Sequence, residues 1–213
     1  MIETKVLAVR YLANASAALC ESLGIPKEYP SLGMLTTDCD DATYIALDEA
    51  TKAAQVKVCY SRSFYAGAAN ASTPNAGEVI GILAGSTPGI VRSGMEAALS
   101  ALKRVGFQDA GVSCLAHTVS SCGSFLSREA GVQEGTALAY LIAPPLESMY
   151  ALDAALKAAD VKLCKLYAPP SETNFGGGLL SGSQSACNAA CEAFLQAVAE
   201  VAQKPLGAEY GNG

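Results

Sequence analysis

Charge is scarce in this chain, and positive charge is scarcer still. Only 16% of the 213 residues are charged, against 51% hydrophobic. That balance excludes a disordered chain and a solvated coiled coil, both of which need far more polar surface. The 14 Lys and Arg are scattered among 20 Asp and Glu, leaving a net charge of −6. No basic stripe interleaved with aromatics forms, so nucleic acid is not an expected partner, because backbone affinity comes from neutralised phosphates. No apolar run approaches the roughly 18 residues of a membrane span. Met1-Ile2-Glu3-Thr4-Lys5 leads into an apolar stretch too short for a signal peptide. A soluble, cytoplasmic protein with no membrane partner is expected.

Catalytic signatures are missing too. His117 is the one histidine, so any Ser/His/Asp constellation must run through it, and no G-x-S-x-G elbow is present. No phosphate-cradling P-loop occurs, nor an isolated G-x-G-x-x-G after a first strand. The eight cysteines include no C-x-x-C pair, so zinc-ribbon spacing is absent. Most read as reduced, buried small hydrophobes. Cys39 stands apart, among acidic residues that raise a thiol's pKa and oppose its use as a nucleophile. The chain is not expected to be an enzyme.

What is present is a repeat. Asp48–Cys59 aligns without a gap on Asp153–Cys164, with eight of twelve positions identical. Ala46-Leu47 ahead of the first segment meets Ala151-Leu152 ahead of the second. Further on, the stretch from Gly85-Ser86 to Leu99 has its counterpart from Gly182-Ser183 to Leu195, after a longer loop at Ala66–Gly77 in the first copy. The chain therefore divides into modules 1–105 and 106–213.

Each module has a legible order. Alanine-rich helices are expected over 48–55 and 153–160, each with an aspartate in its first turn. Alternating strands follow at Val56–Tyr60 and Val161–Leu166. A Gly/Ser/Asn/Pro loop comes next, then a strand at Glu78–Leu83 or Gly178–Ser181, then a long closing helix. Val6–Tyr11, Gly33–Thr37, Cys114–Ser120 and Leu138–Ala143 supply further strand, and Gly207–Gly213 reads as a frayed end. The class is α/β, more strictly α+β, built as a tandem duplication.

The repeated Asp-x-Ala-x-Lys-Ala-Ala-x-Val with its following strand and Gly-rich loop resembles the bacterial-microcompartment shell domain. Ser31–Leu35, Thr37–Tyr44, Arg62–Ala69, Ala143–Glu147 and Pro169–Asn174 extend the likeness to the tandem-domain shell proteins of ethanolamine utilisation, over nearly the whole chain. The resemblance implies circularly permuted shell domains and a homotrimeric, pseudo-hexameric tile. Such tiles join neighbouring shell tiles and carry gated pores for metabolites. A soluble small-molecule-sensing or binding protein without shell assembly is the alternative.

Several residues carry two readings. Lys52 and Lys157, at equivalent helix positions, are solvated lysines or the family's lattice-edge lysines. Asp38, Asp40 and Asp41 are helix-capping aspartates in a turn ahead of a helix over Ala42–Thr51, or part of a cation site. The loop Pro169–Gly178 is a plain connector or the lining of a narrow opening, its glycines letting neighbouring chains approach. By resemblance, ethanolamine contacts fall on Asp40, Asp41, Glu78, Phe107, Thr173, Asn174 and Phe175. Phe175 stands where a tyrosine is expected, and the stretch around Arg104–Gly111 is shorter than the family pattern. His117 is a structural residue or, with Glu147, a weak zinc site, since two ligands half-fill zinc's shell. Cobalamin enters as a possible bound ligand through the family's pathway alone, with no residue assigned to it.

Overall fold

A computed structural model describes residues 1–63, 79–169 and 175–206. The chain forms two compact units. The first comprises Glu3–Gly106 together with Gly123–Leu126; the second comprises Met1–Ile2, Phe107–Cys122 and the chain from Ser127 onward.

In the first unit, strands β1 (Val6–Leu12), β2 (Ser31–Thr37), β3 (Lys57–Ser63) and β4 (Val79–Gly85) form an antiparallel sheet in the order β1-β2-β4-β3. Alternation along β4 sorts its side chains to two faces. Ile80, Ile82 and Ala84 join Leu32 and Met34 in a cluster with Cys20 of helix α1 (Ala17–Ser22). Gly81 and Gly85 turn toward helices α2 (Asp40–Ala53) and α3 (Pro88–Leu102). A Cβ on Gly81 would lie 2.6 Å from Leu47, so its lack of a side chain lets α2 sit close on the sheet.

In the second unit, β5 (Gln108–Asp109), β6 (Ser113–Val119), β7 (Ala137–Ala143), β8 (Val161–Tyr167) and β9 (Gly176–Gly182) run in the order β5-β6-β7-β9-β8. Strand β7 is buried along its full length. Ala139, Leu141 and Ala143 pack with Ala151, Leu152 and Ala155 of helix α5 (Pro145–Ala158), and with Cys187, Ala190 and Phe194 of helix α6 (Gln184–Gln203). Alanine at these contacts lets the helices lie close to the sheet. Helix α4 (Ser124–Ala130) has its first turn in the first unit.

The two sheets repeat one strand order, β1-β2-β4-β3 matching β6-β7-β9-β8. The duplication extends to an irregularity: the β3–β4 register slips at Cys59, and the β8–β9 register slips at the equivalent Cys164. The expected α/β class with tandem modules is the one observed. Helix starts near Asp48 and Asp153 are later than those observed, whereas a helix over Ala42–Thr51 behind the aspartate turn agrees with α2. Both alanine-rich runs are the second halves of longer helices that begin at Asp40 and Pro145. Asp48 and Asp153 therefore lie in mid-helix, and the acidic first turns are made by Asp40, Asp41 and Glu147. Gly207–Gly213 lies outside the described residues.

Among the described residues, no helix is long and apolar enough to cross a membrane.

Candidate functional site

The acidic stretch ahead of α2 is divided by its backbone. The Asp38 carboxylate accepts the Lys5 amide at 2.7 Å, and the Asp38 amide donates back to the Lys5 carbonyl. Asp38 is thus used in tying the chain ahead of β1 to the end of β2. Asp40 and Asp41 occupy the first turn of α2, where the helix dipole favours negative charge. Both are buried, at 8% and 7% exposure, and the Asp41 amide donates to the Asp40 carboxylate at 2.9 Å.

A threonine pair fixes this turn. The Thr37 and Thr43 hydroxyls are hydrogen-bonded at 2.7 Å, and both lie within hydrogen-bond distance of the Cys39 carbonyl, to which the hydroxyl that accepts in the pair donates. Cys39 is the residue before the helix and makes no side-chain cap. Burial first, then the Asp41 and Asp40 charges, push its thiol up to about 12. The arrangement concentrates two carboxylates at a buried helix start, where their charge suppresses a thiolate.

The second unit brings together two other residues singled out by the sequence. Phe107 and Phe175 meet edge to face, with ring centroids 5.5 Å apart. The Phe107 carbonyl also accepts the Ile2 amide at 2.6 Å. Glu78, Thr173 and Asn174 lie outside the described residues. Gly176, Gly177 and Gly178 belong to β9 instead of the preceding loop. A Cβ on Gly177 would stand 1.9 Å from the Leu141 carbonyl oxygen, and one on Gly178 would stand 2.5 Å from that of Lys165. Close strand packing inside this unit demands them.

The two repeated lysines differ in setting. Lys52 bonds Glu49 and lies 3.9 Å from the fully buried Asp48. Lys157 reaches Asp153 at 2.5 Å, with both side chains largely in solvent. The cause is a long-range contact that no local pattern announced. The Asp48 carboxylate accepts the amides of Gly123 at 2.7 Å and Leu126 at 2.8 Å, while the Thr51 hydroxyl accepts the Ser124 amide at 3.1 Å. Burial raises the Asp48 carboxyl above its ordinary value, against the pull of these amides and of Lys52.

His117 sits half-buried in β6, opposite Tyr140 of β7, and Glu147 lies in the first turn of α5. Among the described residues, no group of three or more His, Cys, Asp or Glu is arranged to hold a metal ion. His117 and Glu147 thus gain no third donor there, and zinc carries no part of the proposed function. Cobalamin gains no assigned residue. All eight cysteines lie among the described residues, and no disulfide joins them.

The BMC domain family matches residues 31–117. A bacterial microcompartment shell protein, EutL of Clostridium perfringens, is 58% identical over 97% of this chain and 98% of its own length. EutL of Escherichia coli is 48% identical over 97% of this chain and 96% of its own. Among solved structures, the ethanolamine utilization protein EutL from Leptotrichia buccalis superposes with a TM-score of 0.94 at 57% identity, covering 97% of each chain.

Proposed function

Because the chain belongs to the EutL family of bacterial microcompartment shell proteins, and is therefore a structural component of such a shell and not an enzyme, we propose that it acts as a homotrimeric tile. In this reading three chains supply six like modules around one axis. Neighbouring tiles meet along edges that carry Lys52 and Lys157, and pores through the tile pass metabolites.

The observation that carries this reading is the end-to-end doubling of one module, with strand order and register slip kept in both copies. A chain of two like modules closes a pseudo-hexagon when three copies join. Sedimentation analysis of the full chain tests it, with a species at three times the 21.7 kDa chain mass expected. A 21.7 kDa species at all concentrations would sink it and favour a small-molecule-binding protein without assembly.

Ethanolamine is the metabolite proposed to bind, with its ammonium beside Asp40 and Asp41. Two buried carboxylates in one helix turn support that choice. Phe107, Phe175, Glu78, Thr173 and Asn174 complete the proposed contact set. Asp40→Asn should weaken ethanolamine binding at least about tenfold by calorimetry, the loss of one charge-assisted contact. Unchanged binding would remove the site.

A further inference from the structure

A cleft between α2 and α3 lies apart from the proposed ethanolamine contacts. Glu49, Lys52 and Ala53 line it from α2, and Ala97, Ser100 and Arg104 line the opposite wall. Its volume is about 310 Å³, at the lower end of the range that small-molecule sites occupy. Small side chains make the space, since Ala53, Ala97 and Ser100 leave a gap that longer residues would fill. All the lining residues belong to the first unit, so the cleft is complete within a single chain.

The charges in the cleft do not cancel. Lys52 is engaged by Glu49 and by the neighbouring Asp48, both on its own helix. Arg104 is paired with no carboxylate among the described residues. Its Nη1 donates to the Ser100 hydroxyl at 3.1 Å, one helical turn back. That bond steadies the guanidinium, while its other N–H donors and the Ser100 proton stay available to a ligand.

The tandem copy has the same place with the charge reversed. The buried positions of α3, from Val91 to Leu102, match those of α6, from Cys187 to Val198, one for one. Arg104 therefore corresponds to Glu200, and Ser100 to Gln196. On the facing helix Glu49 corresponds to Ala154. Glu200 accepts the Tyr150 hydroxyl at 3.4 Å. Where the first copy offers a guanidinium, the second presents an acid, so an anion has a site in one copy alone.

We propose that the cleft binds a small aliphatic carboxylate, with its carboxyl group on Arg104 and Ser100 and its short chain between Ala53 and Ala97. A guanidinium presents paired N–H donors whose spacing matches the two oxygens of a carboxylate. One uncompensated positive charge suits a monoanion better than a doubly charged phosphate. Alanine walls give the chain apolar contact, and the volume limits it to a few carbons. The inference depends neither on assembly nor on Asp40 and Asp41.

Saturation-transfer NMR on the full chain, with propionate as the probe, should show binding on the order of millimolar. Arg104→Gln should weaken it at least about tenfold, through loss of the charge-assisted pair. Glu49→Gln should strengthen it, because Lys52 is released to the ligand. Arg104 is exposed, and circular dichroism melts of both variants should match the wild type. No propionate binding, or equal affinity in Arg104→Gln, overturns the site. Tighter binding of inorganic phosphate than of propionate overturns the carboxylate assignment, and weaker binding in Glu49→Gln overturns the placing of the anion beside Lys52.

Discussion

Asp48 and Gly123 stand 75 positions apart in the sequence, yet the Gly123 amide donates to the Asp48 carboxylate at 2.7 Å. A helix start ordinarily finds its acceptor in the side chain of its own capping residue. Gly123 has none. The acceptor is borrowed from the middle of α2, and the module's most buried aspartate is thereby put to use.

Removing that acceptor should be costly. Asp48→Ala leaves the Gly123 and Leu126 amides without their partner, and the loss should be about 2–4 kcal/mol in urea unfolding. Asp153→Ala is the matched control, since among the described residues Asp153 pairs with Lys157 at an exposed position. It should change stability by less than about 0.5 kcal/mol. Equal effects would mean that the buried clasp contributes nothing.

The same carboxyl gives a pH signature. Its folded-state pKa lies above the ordinary 3.8, with burial the largest cause. The folded state therefore holds the proton more tightly than the unfolded state, and Asp48 adds most to stability below 3.8. That contribution falls as pH rises through the window from 3.8 to the raised folded value. Relative to Asp48→Asn, the wild-type unfolding free energy should decline across this window and level off above it. A difference that grows with pH would show that the amides and Lys52 outweigh burial.

Gly123 should tolerate no side chain. A Cβ there would lie 2.3 Å from the Thr51 hydroxyl and 2.9 Å from the Asp48 carbonyl oxygen. Gly123→Ala should cost about 1–3 kcal/mol through overpacking, read as a lowered melting temperature. Gly131→Ala has open space around its Cβ but a φ of +65°, so its smaller penalty of about 1 kcal/mol is purely conformational.

Cys39 should be an inert thiol. With its pKa pushed to about 12, its thiolate fraction at pH 8 is on the order of 10⁻⁴. Alkylation by iodoacetamide, followed by peptide mass spectrometry, should be at least about a hundredfold slower than for a free cysteine near pKa 8.5. Rapid labelling would show that the acid-lined turn opens in solution.

The lysines should separate tile formation from tiling. Lys157→Ala removes an exposed amine whose partner, Asp153, lies on the same helix, so the assembled mass should not change. Extended sheets seen by electron microscopy should be lost if the edge reading holds. Undiminished sheets would return Lys157 to the role of a solvated helix residue.

Local chemistry made much of this molecule readable beforehand. Alternation in Val161–Leu166 and the identities across Asp48–Cys59 and Asp153–Cys164 pointed to strands, helices and a duplicated module, because those signals act within one element. The start of α5 was read too late because Asp153 looks like a first-turn acid, whereas ahead of Asp48 the aspartate turn already marked a helix over Ala42–Thr51. Helices α1 and α4 escaped notice. Their kinship rests on Leu19 with Leu126, Gly24 with Gly131 and Ile25 with Val132, too few matches to stand out in a linear comparison.

The sequence alone determined the kind of module, its number and its family resemblance, since periodicity and repetition are properties of neighbouring residues. Tertiary structure decided what two equivalent aspartates do. Asp48 and Asp153 occupy like places on like helices, but Gly123–Leu126 folds onto the first and nothing among the described residues covers the second. Burial depends on which distant segment arrives, and no property of a residue's own neighbourhood in the chain encodes that.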